Sequence, residues 1–108
     1  MSKVDKSTGV KKFIRAVKKR VAYAEIERIN IGENDFRYHK ELLQRINDFG
    51  KTHILFFKYE TGRLNMKQLV SLLGATENSA MKFLRRQRDV FIKTIEHAEN
   101  ELFLQFPH

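Results

Sequence analysis

Four basic residues lie close together in one short segment of the chain, with a spacing that suits contact with a polyanion. They are Lys82, Arg85, Arg86 and Arg88. Residues three and four positions apart are neighbours on a helix, so Lys82 would share a helix face with Arg85 and Arg86. Their cationic groups bind phosphate oxygens and can also donate to guanine in the major groove of DNA. The segment therefore predicts a DNA-contacting surface, provided that a helix holds it.

The overall charge of the chain favours the same kind of partner. Its 108 residues carry 21 Lys and Arg against 13 Asp and Glu, a formal net charge of +8. Such an excess indicates an anionic partner, either nucleic acid or an acidic membrane surface. Residues 3–30 hold much of the excess, with nine Lys and Arg against three Asp and Glu.

Several classes of function find no support in the residues. The chain contains no cysteine, which excludes disulfides and thiolate chemistry and fits a reducing cytoplasm. The four histidines show no metal-ligand spacing, and no glycine-rich phosphate loop is present. The longest apolar run, ILFF at residues 54–57, is far shorter than the roughly 20 residues of a membrane helix. We therefore expect a cytoplasmic protein that is not an enzyme and uses no metal, cofactor, membrane or small-molecule ligand.

Apolar spacing predicts two helices in the first half of the chain. The first covers residues 8–29 and has a basic face, which is usually only a solvated surface. After a break at residues 30–34, a second helix is expected to begin at Asn34 or Asp35 and to end at Gly50. The apolar stripe of the first helix would pack on the body of the domain or on a second subunit, and it consists of Val10, Phe13, Ile14, Val17, Val21 and Ala24.

Three more helices are predicted in the second half. Residues 52–62 suit either a buried strand or a short helix, and the helix is favoured because Thr52 can cap it and Gly62 can end it. A short extended segment at residues 63–65 would follow. Residues 66–74 and 77–88 then form two amphipathic helices that are joined by a tight turn.

The last stretch is predicted to be β-structure. Residues 90–106 are rich in β-branched and aromatic side chains, and Leu102, Leu104 and Phe106 recur at every second position. Asn100 can adopt the left-handed conformation of a hairpin turn. The polar side chains of this two-stranded hairpin would be Lys93, Thr94, His97, Asn100 and Gln105.

The second half of the chain resembles a winged helix-turn-helix domain. The segment MKQLVSLLGATENSAMKFLRRQRD is similar to the motif of bacterial regulators, in which an apolar helix ends in Leu-Gly, here at Gly74, and Thr76 opens the next helix. Ala80 and Leu84 stand at the small and apolar positions that face inward. The resemblance implies a mainly α fold with a small β-hairpin as the wing.

The domain organisation implied by the resemblance has two parts. Residues 51–108 would form the winged helix-turn-helix domain. Residues 1–50 would supply two additional N-terminal helices, basic in charge, for packing or dimerisation.

The same resemblance implies how DNA would be contacted. The helix that begins near residue 77 would lie in the major groove with its N-terminal residues nearest the bases. Asn78 would pair with adenine, Lys82 or Arg85 with guanine, and Arg86 with phosphate. The hairpin would contact the neighbouring DNA backbone. The implied contacts on the helix are Thr76, Asn78, Ser79, Lys82, Arg85 and Arg86, with the five polar hairpin residues added.

Three functions are compatible with this interpretation. The first is a small transcriptional regulator that binds double-stranded DNA sequence-specifically as a homodimer. The second is an accessory protein of a plasmid or phage that binds repeats at an origin of conjugative transfer, replication or partition. The small size suits this second function well. The third is a winged-helix module that binds a protein and does not contact DNA.

Overall fold

The described part of the chain folds into five helices. The computed structural model describes the backbone of residues 6–27 and 32–106 and the side chains of residues 9–26 and 32–106. The helices are α1 (Lys6–Glu27), α2 (Glu33–Thr52), α3 (Ile54–Glu60), α4 (Met66–Leu73) and α5 (Glu77–Gln105). Across residues 6–27 and 32–106 no residue belongs to a β-strand.

The predicted C-terminal hairpin is wrong, and with it the winged helix-turn-helix fold. Helix α5 continues without interruption through the segment in which two strands were expected. Burial follows a helical period there, because Leu102 is 0 % exposed whereas Leu104, two positions later, is 83 % exposed. The residues that face the core are instead Phe91, Ile95, Ala98 and Leu102, at steps of four, three and four. The fold is all-helical.

A second correction concerns the end of α2. Gly50 was predicted to terminate this helix, but α2 runs on to Thr52. A Cβ placed on Gly50 would lie 2.6 Å from the ring of Phe57 in α3. Gly50 therefore permits α2 and α3 to approach closely rather than ending a helix. The start also differs, since α2 begins at Glu33, before Asn34 and Asp35, and its N-cap position is Gly32.

The helices predicted by apolar spacing are otherwise confirmed. Helix α1 buries Val10, Ile14, Val17 and Val21, as its stripe indicated. The ambiguous segment at residues 52–62 contains α3, a helix and not a strand. Thr52 does not cap it as predicted, because Thr52 is the last residue of α2 and His53 takes the N-cap position. Of the break expected at residues 30–34, the first two residues lie outside the described part of the chain, and the last two, Glu33 and Asn34, already belong to α2.

Local signals set the bounds of α4 and the start of α5. Asn65 and Gln68 form a capping box, in which the Gln68 N–H donates to Asn65 Oδ1 (2.8 Å) and the Asn65 N–H to Gln68 Oε1 (2.9 Å). Gly74 ends α4 in the left-handed conformation, at φ 61°. Thr76 caps α5, as predicted, and its Oγ1 accepts from the Ser79 N–H at 3.1 Å.

The core lies between α1, α2, α3 and α5, and α4 packs against α3 and α5. Three phenylalanines from different helices meet in it. The ring of Phe49 is 6.1 Å from that of Phe56 and 5.1 Å from that of Phe91, with near-perpendicular planes in both pairs. Edge-to-face contacts of this kind add to the gain from burial. They hold the middle of α5 against α2 and α3.

Candidate nucleic-acid interface

The first three turns of α5, residues 77–88, form the candidate surface and are called the basic turns below. Ala80 and Leu84 are buried, as predicted, and they hold one side of this segment against the rest of the molecule. The opposite side is therefore exposed. Six predicted contact residues are exposed on or next to these turns: Thr76, Asn78, Ser79, Lys82, Arg85 and Arg86.

Charge is divided sharply along α5. The basic turns carry four basic side chains and one acidic one, Glu77, a net charge of +3. The remainder of the helix, residues 89–105, carries Lys93 against Asp89, Glu96, Glu99 and Glu101, a net charge of −3. Because the two parts of α5 carry opposite charge, only the first part of the helix would be attracted to a polyanion.

The five residues predicted on a hairpin lie instead along the second part of α5. Lys93, Thr94, His97, Asn100 and Gln105 are all exposed. With a rise of 1.5 Å per residue, Asn78 and Asn100 are about 33 Å apart along the axis. The structure therefore brings the six residues near Thr76 together, and it does not bring the five predicted hairpin residues back to them.

Arg88, the fourth basic residue of the turns, points into the molecule. Its Nη1 lies 3.8 Å from Oε2 of Glu60, the last residue of α3. The Glu60 side chain is fully buried, and that of Arg88 is 12 % exposed. This ion pair joins α3 to α5. It leaves Lys82, Arg85 and Arg86 as the outward cations of the basic turns.

A second basic surface lies on α1. Lys11, Arg15 and Lys18 line a groove of about 160 Å³ together with Glu60 and Thr61 from the end of α3. We call it the basic groove. Next to it, Arg63 Nε donates to Thr61 Oγ1 at 3.2 Å. Because Glu60 contacts both this groove and Arg88, the groove and the basic turns adjoin the same buried carboxylate.

Sequence reasoning did not find the basic groove or the Glu60–Arg88 pair. A signal for the groove was present, since Lys11, Arg15 and Lys18 are spaced at four and three residues and follow one flank of α1. The Glu60–Arg88 pair has no such signal, because it depends on how α3 packs on α5.

Groups with displaced pKa values lie outside the basic turns. Burial and the nearby charge of Glu96 raise the pKa of Glu99. Burial and the charge of Glu99 raise the pKa of Tyr38 in α2. A hydrogen bond and ion pair with Arg45, 2.7 Å long, lower the pKa of Glu101. These shifts belong to the acidic part of α5 and do not create an acid–base pair at the candidate surface.

Other kinds of site receive no support within the described ranges. Residues 6–27 and 32–106 contain no group of three or more His, Asp or Glu side chains placed to hold a metal ion. In the same ranges, no helix combines the length and the apolar character that crossing a membrane requires.

Comparison of the chain with protein-family models, with curated proteins and with solved structures finds no match.

Proposed function

We propose that this protein binds double-stranded DNA through the basic turns of α5 and acts as a small transcriptional regulator. The observation that carries the proposal is the division of charge along α5. Residues 77–88 carry +3, of which +2 faces outward because Arg88 is paired with Glu60, and residues 89–105 carry −3. A group of outward cations at one end of the helix suits a polyanionic partner. The exposed start of α5 supplies the matching shape.

The proposed contacts follow from the exposed side chains of the basic turns. An α-helix fits the major groove of B-form DNA, where each base pair presents a distinct pattern of donors and acceptors. Asn78 would read adenine, and Lys82 or Arg85 would read guanine. Arg86 would bind a phosphate, which sets affinity without choosing sequence. The N–H groups at the capped start of α5 add a favourable dipole for a nearby phosphate.

The basic groove supplies further phosphate contacts in this proposal. Its cations, Lys11, Arg15 and Lys18, come from α1, whereas the basic turns belong to α5. Each phosphate that a Lys or Arg neutralises releases counterions, so affinity would fall steeply as salt rises. Binding of this kind places the protein with DNA in the cytoplasm.

A homodimer remains part of the proposal, because two copies would read two half-sites. Val10, Ile14, Val17 and Val21 of the apolar stripe of α1 are already buried by other helices of the same chain. A second copy would therefore use other side chains, and Tyr23 and Ile26 on α1 are exposed apolar ones. Sedimentation equilibrium of the wild type and of Ile26→Glu tests this, since a dimer built on that face would dissociate in the variant.

The deciding experiment is selection of bound sequences from a random duplex pool, followed by titration of the winning duplex against salt. We expect one short enriched motif, bound at least about 10³-fold more tightly than scrambled DNA. A motif that recurs at a fixed spacing of about one turn of the DNA helix would also indicate that the protein binds as a dimer. Failure to enrich any sequence, with binding that is lost near physiological salt, would reduce the surface to a general electrostatic one and refute sequence-specific recognition.

A further inference from the structure

An apolar groove between α1 and α5 lies on the part of α5 that follows the basic turns. Its volume is about 410 Å³, within the range of roughly 300–1,000 Å³ that small-ligand sites occupy. Two helices contribute apolar walls, so the groove is a feature of the packed chain and not of one element. The apolar side chains that line it are Val10, Phe13, Phe91, Ile92 and Ile95.

Gly9 keeps the α1 side of this groove open. A Cβ placed on Gly9 would meet no atom within 4 Å. Gly9 lies within α1, where glycine weakens a helix relative to alanine. The absence of a side chain there therefore weakens α1 and leaves space in the groove.

Two carboxylates stand at one end of the apolar groove. Glu96 and Glu99 both line it, and they are three residues apart on α5, so they lie one helical turn apart on the same side. Glu99 is half-buried, which reduces the screening of its charge by water. Burial and Glu96 together raise the pKa of Glu99, and Glu99 in turn raises the pKa of Tyr38. Negative potential is thus concentrated at this end, in a chain whose net charge is +8.

We propose that the apolar groove binds a small hydrophobic cation, with an aromatic or aliphatic body and an ammonium or guanidinium group. The body would lie against Phe13, Phe91 and Ile95. The cation would reach Glu96 and Glu99, where it relieves the repulsion between two carboxylates in a partly desolvated place. Phe13 and Phe91 line the groove, and an aromatic ring attracts a cation that lies over its face. A phosphate-bearing ligand is repelled by the same pair, which separates this site from the proposed DNA surface.

Binding of a cation in the apolar groove is independent of DNA binding, and a set of three probes tests it. Naphthylmethylamine, naphthalenemethanol and naphthaleneacetate share an aromatic body and differ in charge, being cationic, neutral and anionic at neutral pH. The chain contains no tryptophan, so naphthyl fluorescence can be followed against a tyrosine background alone. We expect saturable binding of one amine per full-length chain, about tenfold tighter than the alcohol, with the acetate weakest.

Two variants separate the charge from the apolar body. In the double variant Glu96→Gln with Glu99→Gln, the affinity for the amine should fall to that for the alcohol, which should itself stay unchanged. The matched control is Glu101→Gln, on the same helix but outside the groove and paired with Arg45. It should retain the preference for the amine.

The space in the groove is tested at Gly9. Gly9→Leu should fill the groove and abolish binding of both amine and alcohol, whereas Gly9→Ala should retain both. If Gly9→Leu does not fold, the double glutamine variant still decides the matter. The proposal is overturned if the alcohol binds wild-type protein as tightly as the amine, if the glutamine variant retains the preference, if a folded Gly9→Leu still binds, or if no probe binds saturably.

Discussion

Glu60 and Arg88 form an ion pair in the interior of the molecule, with Oε2 of the first 3.8 Å from Nη1 of the second. The pair joins the end of α3 to the last turn of the basic segment of α5. Removing the charge of one partner from such a pair leaves the other in a place with little water, and this typically costs about 3–5 kcal/mol. Because the pair joins α3 to α5, we expect its loss also to shift the part of α5 that carries Lys82 and Arg85.

We predict that Arg88→Met and Glu60→Leu each lower the free energy of unfolding strongly, whereas the double variant regains much of the loss. The reason is that each single change retains one buried charge and the double change retains none. Urea unfolding followed by circular dichroism measures the stability of the wild type, the two single variants and the double variant, which together form a double-mutant cycle. Additive losses would show that the pair contributes no coupling.

The basic turns provide the second prediction, which concerns DNA affinity. Lys82→Ala and Arg85→Ala should each weaken binding to the selected duplex roughly 5- to 100-fold, with helical content unchanged. The matched control is Lys93→Ala, since Lys93 is also an exposed lysine of α5 but lies in the acidic part. Equal losses for Lys93→Ala and Lys82→Ala would contradict the division of α5 that carries the proposed function.

Phosphate contacts from α1 are tested by the salt dependence of binding. Arg15→Ala in the basic groove should weaken binding to all duplexes alike, and it should make the slope of log affinity against log salt shallower by about 1. Arg20→Ala is a suitable control, because Arg20 is exposed on α1 but does not line the groove. An unchanged slope in Arg15→Ala would exclude the groove from the interface.

Much of this fold could be predicted from the spacing of apolar residues, and the part that failed shows why. Helix α1 and the turn from Gly74 to Thr76 have local signals, and both were predicted. In the second part of α5, an apolar pattern of period two overlaps one of helical period. Ala98 and Leu102 are four residues apart, as on a helix, but Phe103 and Leu104 follow directly and are also apolar. Within a short stretch of sequence, the apolar residues there fit the alternation of a β-strand better than the period of a helix. The longer stretch from residue 75 to 106 contains neither glycine nor proline, which indicates one continuous helix.

The candidate site was predictable to a similar degree. Asn78, Lys82 and Arg85 were expected on the exposed side of a helix, and they are exposed because Ala80 and Leu84 face inward. The spatial relation between those residues and the predicted hairpin residues was not predictable, since it depended on the wrong element. Contacts between helices that are distant in sequence, such as Arg45 with Glu101, depend on tertiary packing and have no local signal.

The close approach of α2 and α3 at Gly50 gives a prediction about stability. Gly50→Ala should lower the free energy of unfolding by about 1–3 kcal/mol, because the new methyl group would overlap the ring of Phe57. Gly9→Ala is the matched control in another helix, and it should raise stability by up to about 1 kcal/mol, since its methyl group meets open space. If Gly50→Ala were more stable than the wild type, α3 would have to shift away from α2 at this contact with little cost in free energy.

The acidic part of α5 provides a prediction about pH, because two nearby carboxyl groups have pKa values displaced in opposite directions. Burial first and Glu96 second raise the pKa of Glu99 above its usual value of 4.5. The folded chain then binds a proton more tightly than the unfolded chain, so this group makes stability fall as pH rises from 4.5 to the raised pKa. Arg45 lowers the pKa of Glu101, so that group contributes stability above pH 4.5 that is lost as pH falls through the lowered pKa.

Glu99→Gln should therefore stabilise the protein at pH 7 and give no gain at pH values below 4.5, since the native carboxyl group is then protonated in both states. Glu101→Gln should do the reverse, with a small loss at pH 7 that fades as pH falls, because its ion pair with Arg45 is exposed and screened by water. Urea unfolding of the wild type and both variants across this range measures the two differences. The two effects differ in sign because burial raises one pKa and an arginine partner lowers the other. If the stability of the two variants relative to wild type changed with pH in the same way, the opposite pKa displacements would be contradicted.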